Sequence, residues 1–271
     1  MRTDTKTKDI IVKWYLQLNF NPKFDDEFYF ALDNIYVDSE ATVEAYPKDD
    51  EDGQKNLLHY LYFCEKLEKR YENEGIPRCV FLDTVADIVS WCESWSEIKG
   101  KLYLGELPWL SLIFTMQLFK LGRLQFRATR AKEDVPESDI KSGDGIIEIH
   151  IPRRGPLDYF ECLSSLEMAK SFYSEHYPDF RYNYFTCHSW LLDQTLTDML
   201  GGSSNVLRFQ TLFNIVRNDI SDAILTYVFR WKITRDEIFD HLPCRTSFAA
   251  KVRDAVLSGR TFYAGLGIIK K

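Results

Sequence analysis

The hydrophobic spacing of this chain changes at Gly122, and that change constrains the fold more than any single motif. Before it, apolar residues recur at helical intervals. Ile10 to Leu18 and Phe24 to Leu32 predict two short helices, and Leu57 to Tyr71 a longer one that stops before Gly75 and Pro77. Phe81, Val85, Ile88, Val89, Cys92 and Trp95 form the clearest amphipathic stripe, a helix face expected in the core. Leu107 to Leu121 is apolar almost all round and predicts a helix buried on several sides, with Pro108 in its first turn and Gly122 at its end. Tyr46 to Asn56, which holds an acidic run, predicts a solvated loop.

After Gly122 the period becomes two. Leu124, Phe126 and Ala128 alternate with Gln125, Arg127 and Thr129, as a half-buried strand requires. A polar connection, AKEDVPESDIKSGDG, leads to Ile147, Ile149 and Ile151 alternating with Glu148, His150 and Pro152, so the two segments predict an antiparallel pair. A helix over Asp158 to Tyr177 follows, then a strand over Arg181 to His188, a short helix over Ser204 to Phe213 and a strand over Ala223 to Trp231. Thr234-Arg-Asp-Glu237 reads as a capping box opening a helix. Thr246 to Ser258 predicts a further helix ended by Gly259, and Thr261 to Ile269 a closing strand. The class is α+β: a helical N-terminal domain over 1–122, then a mixed β-sheet flanked by helices over 123–271.

Length and composition fit this division. A chain of 271 residues, 45% of them hydrophobic, can fill one large core or two modest ones. The charge balance, 34 basic against 41 acidic residues for a net of −7, disfavours nucleic acid and anionic membranes as general partners. The opening MRTDTKTKDI lacks the apolar core of a signal peptide, and the most apolar run, Leu107 to Phe119, is too short to span a bilayer; a soluble, cytoplasmic protein is expected. Cys64, Cys79, Cys92, Cys162, Cys187 and Cys244 form no Cys-x-x-Cys pair and are expected as free, buried thiols. The five histidines show no metal-ligand spacing, so no metal is expected.

The junction IEIHIPRRGPLDYFE, from Ile147 to Glu161, runs a strand directly into a helix. One reading is an anion cradle: the helix start offers unpaired amides, Gly155 lets a ligand approach the backbone, and Arg153 and Arg154 supply charge. The other is a capped helix start, with Asp158 and Glu161 satisfying those amides internally.

The stretches IEIHIPRRGPLD, SLEMAKSFYSEHYP, FTCHSWLLDQTL and SNVLRFQTLF resemble a family of acyltransferases whose C-terminal half is similar to the GNAT (N-acetyltransferase) fold, preceded by a helical N-terminal domain. The resemblance spans Gly122 to the C-terminus, and more loosely the first half. It implies that acetyl-CoA or another acyl-CoA, as co-substrate, lies in a wedge between two parallel strands, here Ile146 to Ile151 and Arg181 to Cys187. Its pyrophosphate would sit on the loop Pro152 to Leu157, with Ile151, Arg153, Arg154, Gly155 and Leu157 as binding positions. Typical members carry Gln/Arg-x-x-Gly-x-Gly/Ala there; Arg-Arg-Gly-Pro-Leu has one glycine, and Pro156 has no amide donor.

Acyl transfer to an amine needs a base and a proton for the leaving thiolate. Glu148 and His150 share a strand face and are candidate bases, against the plainer role of a polar sheet face. His188, where the second strand ends, is a candidate pocket residue. Cys187, on the other face from His188, reads as a packed thiol; thiol-based hydrolysis there would need a histidine within reach of its sulfur. Tyr182, Tyr184, Tyr227 and Tyr263 are candidate acids. Two functions follow: acyl transfer from acyl-CoA to a small-molecule or peptide amine, or a non-catalytic interaction or ligand-binding protein on a degenerate GNAT-like scaffold.

Overall fold

Asp4 opens the first helix by accepting the Thr7 amide, and α1 runs Thr5–Gln17. The computed structural model of the chain describes residues 2–47, 51–135 and 137–271. They divide into two compact units, Met1–Leu121 and Gly122–Lys271. The first unit continues with α2 (Asp25–Asn34), α3 (Gly53–Asn73), α4 (Arg78–Val85), α5 (Asp87–Lys99), α6 (Leu107–Phe114) and a short strand β1 (Phe119–Leu121). Its core is aromatic: Tyr15 stacks on Phe28 at 3.6 Å, and Trp14 meets Phe81 edge-on at 5.4 Å.

Three expectations for this unit are corrected. The stripe from Phe81 to Trp95 is buried throughout, but two helices share it, with Ala86 between them. Asp87 restarts the helix, and its carboxylate accepts the indole N–H groups of Trp91 and Trp109. The Leu107–Leu121 helix stops at Phe114, because Met116 takes a left-handed backbone (φ 58°) and the chain turns into β1. The loop expected over Tyr46 to Asn56 gives way to α3 at Gly53, where Asp52 caps the Lys55 amide. A side chain at Gly53 would overlap the Tyr103 ring at 2.3 Å. Residues 48–50 of that loop lie outside the described residues.

In the second unit, β2 (Leu124–Arg130) and β3 (Gly145–His150) form the expected antiparallel pair, with Gln125 opposite His150 and Arg127 opposite Glu148. Helix α7 (Tyr159–His176) then crosses to β4 (Tyr184–Ser189), parallel to β3. The remaining elements are α8 (Asn205–Gln210), β5 (Asn214–Ile220), α9 (Ala223–Val228), α10 (Ser247–Leu257) and β6 (Tyr263–Lys270). Within the unit the strand order is β2-β3-β4-β6-β5, a mixed sheet. One face, with Phe126, Ile147, Ile149, Phe185 and Cys187, is buried; Tyr182 links Tyr173 of α7 to Phe185 at ring distances of 6.3 and 5.4 Å.

Here too the chain departs from its pattern. Ala223–Val228 is a helix, not a strand, and buries Ile224 and Leu225 in a second core with Leu196, Val252 and Phe262. The strand missed is β5, NIVRNDI, whose polar residues and irregular register between Ile215 and Arg217 hide its alternation. Thr234 and Glu237 do form the capping box, yet only one 3-10 turn follows, because Ile238 turns extended and buries itself in the second core. The polar β2–β3 connection also carries core: Val135 and Ile140 pack with Ile146 and Ile268. Four cysteines are buried and none is in a disulfide, but Cys79 is exposed and Cys244 half-buried.

Candidate active site

The register of the parallel pair marks the candidate site. β3 and β4 pair only over Ile146–Tyr184, Ile147–Phe185 and Glu148–Thr186. Beyond that, β3 stays with β2 as far as His150, and β4 stays with β6 as far as Ser189. The two parallel strands therefore part after Glu148 and Thr186, opening a wedge between Ile149–His150 and Cys187–Ser189. Side chains alternate across a sheet, so Glu148, His150, Thr186 and His188 share one face at its mouth.

Glu148 sits between an imidazole and a guanidinium, with His150 Nε2 and Arg127 each 3.6 Å from Oε2. Burial raises its carboxyl, but His150 and Arg127 outweigh that and hold it below the ordinary carboxylate range. His188, half exposed, places Nε2 3.1 Å from Asp219 Oδ2 of β5. A carboxylate only accepts, so Nε2 carries a proton, and in the neutral imidazole Nδ1 is then the nitrogen with the lone pair. Arg217 Nε donates to the same Asp219 oxygen at 3.0 Å, and Arg217 is held in turn by Glu133 at 2.6 Å. Asp219 gives no signal in the sequence, because the polar segment NIVRNDI lacks the alternation of a half-buried strand.

Below the wedge, Asp158 caps α7 and accepts the Phe160 and Glu161 amides. The capped-start reading thus describes the helix itself. The loop before it has a different anchor, Arg123. Its guanidinium donates to the carbonyls of Pro156 (2.6 Å), Pro152 (3.1 Å) and Gly155 (3.1 Å). Gly155 has φ 85°, a left-handed backbone that favours glycine. Arg153 and Arg154 are exposed, Ile151 half-buried and Leu157 buried.

A family model described as the GNAT-like C-terminal domain matches residues 118–269, and one described as the N-acyltransferase N-terminal domain matches residues 7–116. The chain belongs to the GNAT-like C-terminal domain family. A solved acyltransferase in complex with decanoyl-CoA and teicoplanin is similar in fold at TM-score 0.74 and 20% identity, covering 100% of this chain and 89% of that one. An acyltransferase in complex with decanoyl-CoA alone gives 0.72 and 21%, with the same coverage. No curated protein matches.

In this GNAT-like chain the other candidates separate clearly. Cys187 is buried, which pushes its thiol up to about 12, and His188 leaves the strand on the opposite face; a thiolate nucleophile has no support there. Tyr182 is buried between α7 and β4, and Tyr184 bonds Asp139 at the closed end of the wedge. Tyr227 stacks with Trp190, the residue after β4, at 6.2 Å, which brings it towards the open end. Tyr263 opens β6, its amide held by Asp193. Among the described residues no three His, Cys, Asp or Glu side chains gather as metal ligands, and no helix is long and apolar enough to cross a membrane.

Proposed function

We propose that this protein transfers an acyl group from acyl-CoA to an amine of a small-molecule or peptide acceptor. The observation that carries the reading is the parting of β3 and β4 directly above an exposed, arginine-bearing loop. The acyl-CoA supplies a thioester, and this chain's residues do the rest. The loop Pro152–Leu157, with Ile151 at its start, receives the pyrophosphate through backbone amides, with Arg153 and Arg154 adding charge. His188 Nδ1 takes the proton of the incoming amine, and Asp219 fixes the tautomer and stabilises the imidazolium. Glu148, held ionised, and His150 line the acceptor side, where a carboxylate attracts an ammonium group before it loses its proton. The amine N–C bond forms as the C–S bond breaks, and the proton ends on the coenzyme A thiol.

The complexes of the structural neighbours support long acyl chains and teicoplanin as first probes. The division of labour follows the two units, the GNAT-like unit holding this chemistry and the helical unit preceding it. A cytoplasmic location supplies acyl-CoA and keeps the six cysteines reduced. The test is release of free coenzyme A thiol from acetyl- to decanoyl-CoA with a panel of amines. His188→Ala is expected to lower turnover by about 10²–10⁴-fold and leave acyl-CoA affinity intact. Pro156 and the Asp158 cap favour a second reading, a ligand-binding scaffold without catalysis. Saturable coenzyme A binding with no thiol release for any amine would select it.

A further inference from the structure

We infer that Arg123 is a positioning residue for coenzyme A, acting through the loop backbone rather than by touching phosphate; this rests on the function proposed above. The β2–β3 register explains its place. Gln125 lies opposite His150, so two residues further along each strand Arg123 comes opposite Pro152. Its own backbone is anchored to α7: the Arg123 amide donates to Ser165 Oγ at 2.7 Å, and Ser165 Oγ donates to the Glu161 carbonyl at 2.8 Å. Ser165 is fully buried, and Gly122 (φ 68°) permits the approach, since a Cβ there would lie 2.8 Å from that hydroxyl.

From this fixed base the guanidinium gathers three loop carbonyls. No described peptide bond is cis, so each N–H points away from the C=O of its own peptide. Drawing in the Pro152 and Pro156 carbonyls therefore turns the Arg153 and Leu157 amides to the opposite side of the loop. The peptide of the Gly155 carbonyl ends on Pro156 and has no N–H to orient. The loop has one glycine and lacks the Pro156 donor, and Arg123 offsets that deficit: it presets two amides that would otherwise have to be ordered when a pyrophosphate binds. A planar guanidinium with a fixed fork of donors can hold three carbonyls at once, whereas an ammonium cannot do so in the same geometry.

The test compares acyl-CoA with the corresponding acyl-pantetheine, which lacks the pyrophosphate, on the full chain and its Arg123→Lys and Arg123→Ala variants. Calorimetry is expected to show coenzyme A affinity reduced at least about tenfold in both variants, with an unchanged salt dependence in Arg123→Lys, which keeps the charge. kcat/KM is expected to fall for acyl-CoA, through KM, and to hold for acyl-pantetheine. In the wild type, coenzyme A should slow hydrogen exchange at Arg153 and Leu157, a readout that does not depend on a variant folding. Equal losses for both substrates would make Arg123 merely structural and overturn the inference. So would retention of coenzyme A affinity in Arg123→Lys, or unprotected loop amides in a wild type that binds coenzyme A. Failure of the wild type to bind coenzyme A at all would instead overturn the proposed function, and this inference with it.

Discussion

Glu148 and His188 differ as bases because their neighbours differ. Glu148 lies within 3.6 Å of both Arg127 and His150, which favour its charged form. A carboxylate held below its ordinary range is a poor proton acceptor for an amine. It also makes stability depend on pH. Its folded pKa is depressed, so the stabilisation is complete above the unfolded value of about 4.3 and is lost as pH falls through the lower folded value. Glu148→Gln does not titrate. The stability gap between wild type and Glu148→Gln is therefore expected to narrow when denaturant unfolding is repeated from about pH 6 down to about pH 3. A gap that widens on acidification would mean the carboxyl pKa is raised, and that Glu148 belongs with the bases after all. His188 pairs with Asp219, and about half its side chain is exposed; on the proposed reading an incoming amine N–H donates to its Nδ1.

At the scale of elements, the wedge depends on how tightly β4 and β6 are held after β3 departs. β6 carries Gly265 and Gly267 where the turn Trp190–Leu192 packs onto it. A Cβ at Gly265 would lie 2.5 Å from the Leu192 carbonyl oxygen, and one at Gly267 2.8 Å from both Leu192 and Phe213. Gly265→Ala is expected to cost about 1–3 kcal/mol by overpacking and to lower the melting temperature. Gly201→Ala, with nothing within 4 Å, serves as control and is expected to change little. Equal melting temperatures would show that β6 does not need this close approach. The strands that carry the wedge were legible because Ile147 and Ile149 alternate on a buried face, and the α7 start was legible through Asp158. β5 and Arg123 were not. β5 is polar, with irregular register, and its Asp219, held by Arg217, matters only once it lies across β6 from His188. Arg123 is one arginine beside a glycine until the hairpin register sets it opposite Pro152. Ala223–Val228 misled because a short apolar run fits a strand or a helix equally, and packing in the second core decides.

The whole molecule places a helical unit matching the N-acyltransferase N-terminal domain before a GNAT-like unit. With a net charge of −7, attraction of an anionic ligand has to come from local groups such as the arginine-bearing loop rather than from the chain's overall charge. On this account the second unit takes acyl-CoA in the wedge, and acceptor choice is a separate matter of the side chains around His188. The central claim is coenzyme A recognition, and calorimetric titration of the full chain with decanoyl-CoA tests it most directly. The account predicts saturable binding at one site, competition by free coenzyme A and weakening with added salt. No binding up to about 1 mM, or binding that decanoic acid reproduces without the coenzyme moiety, would contradict it.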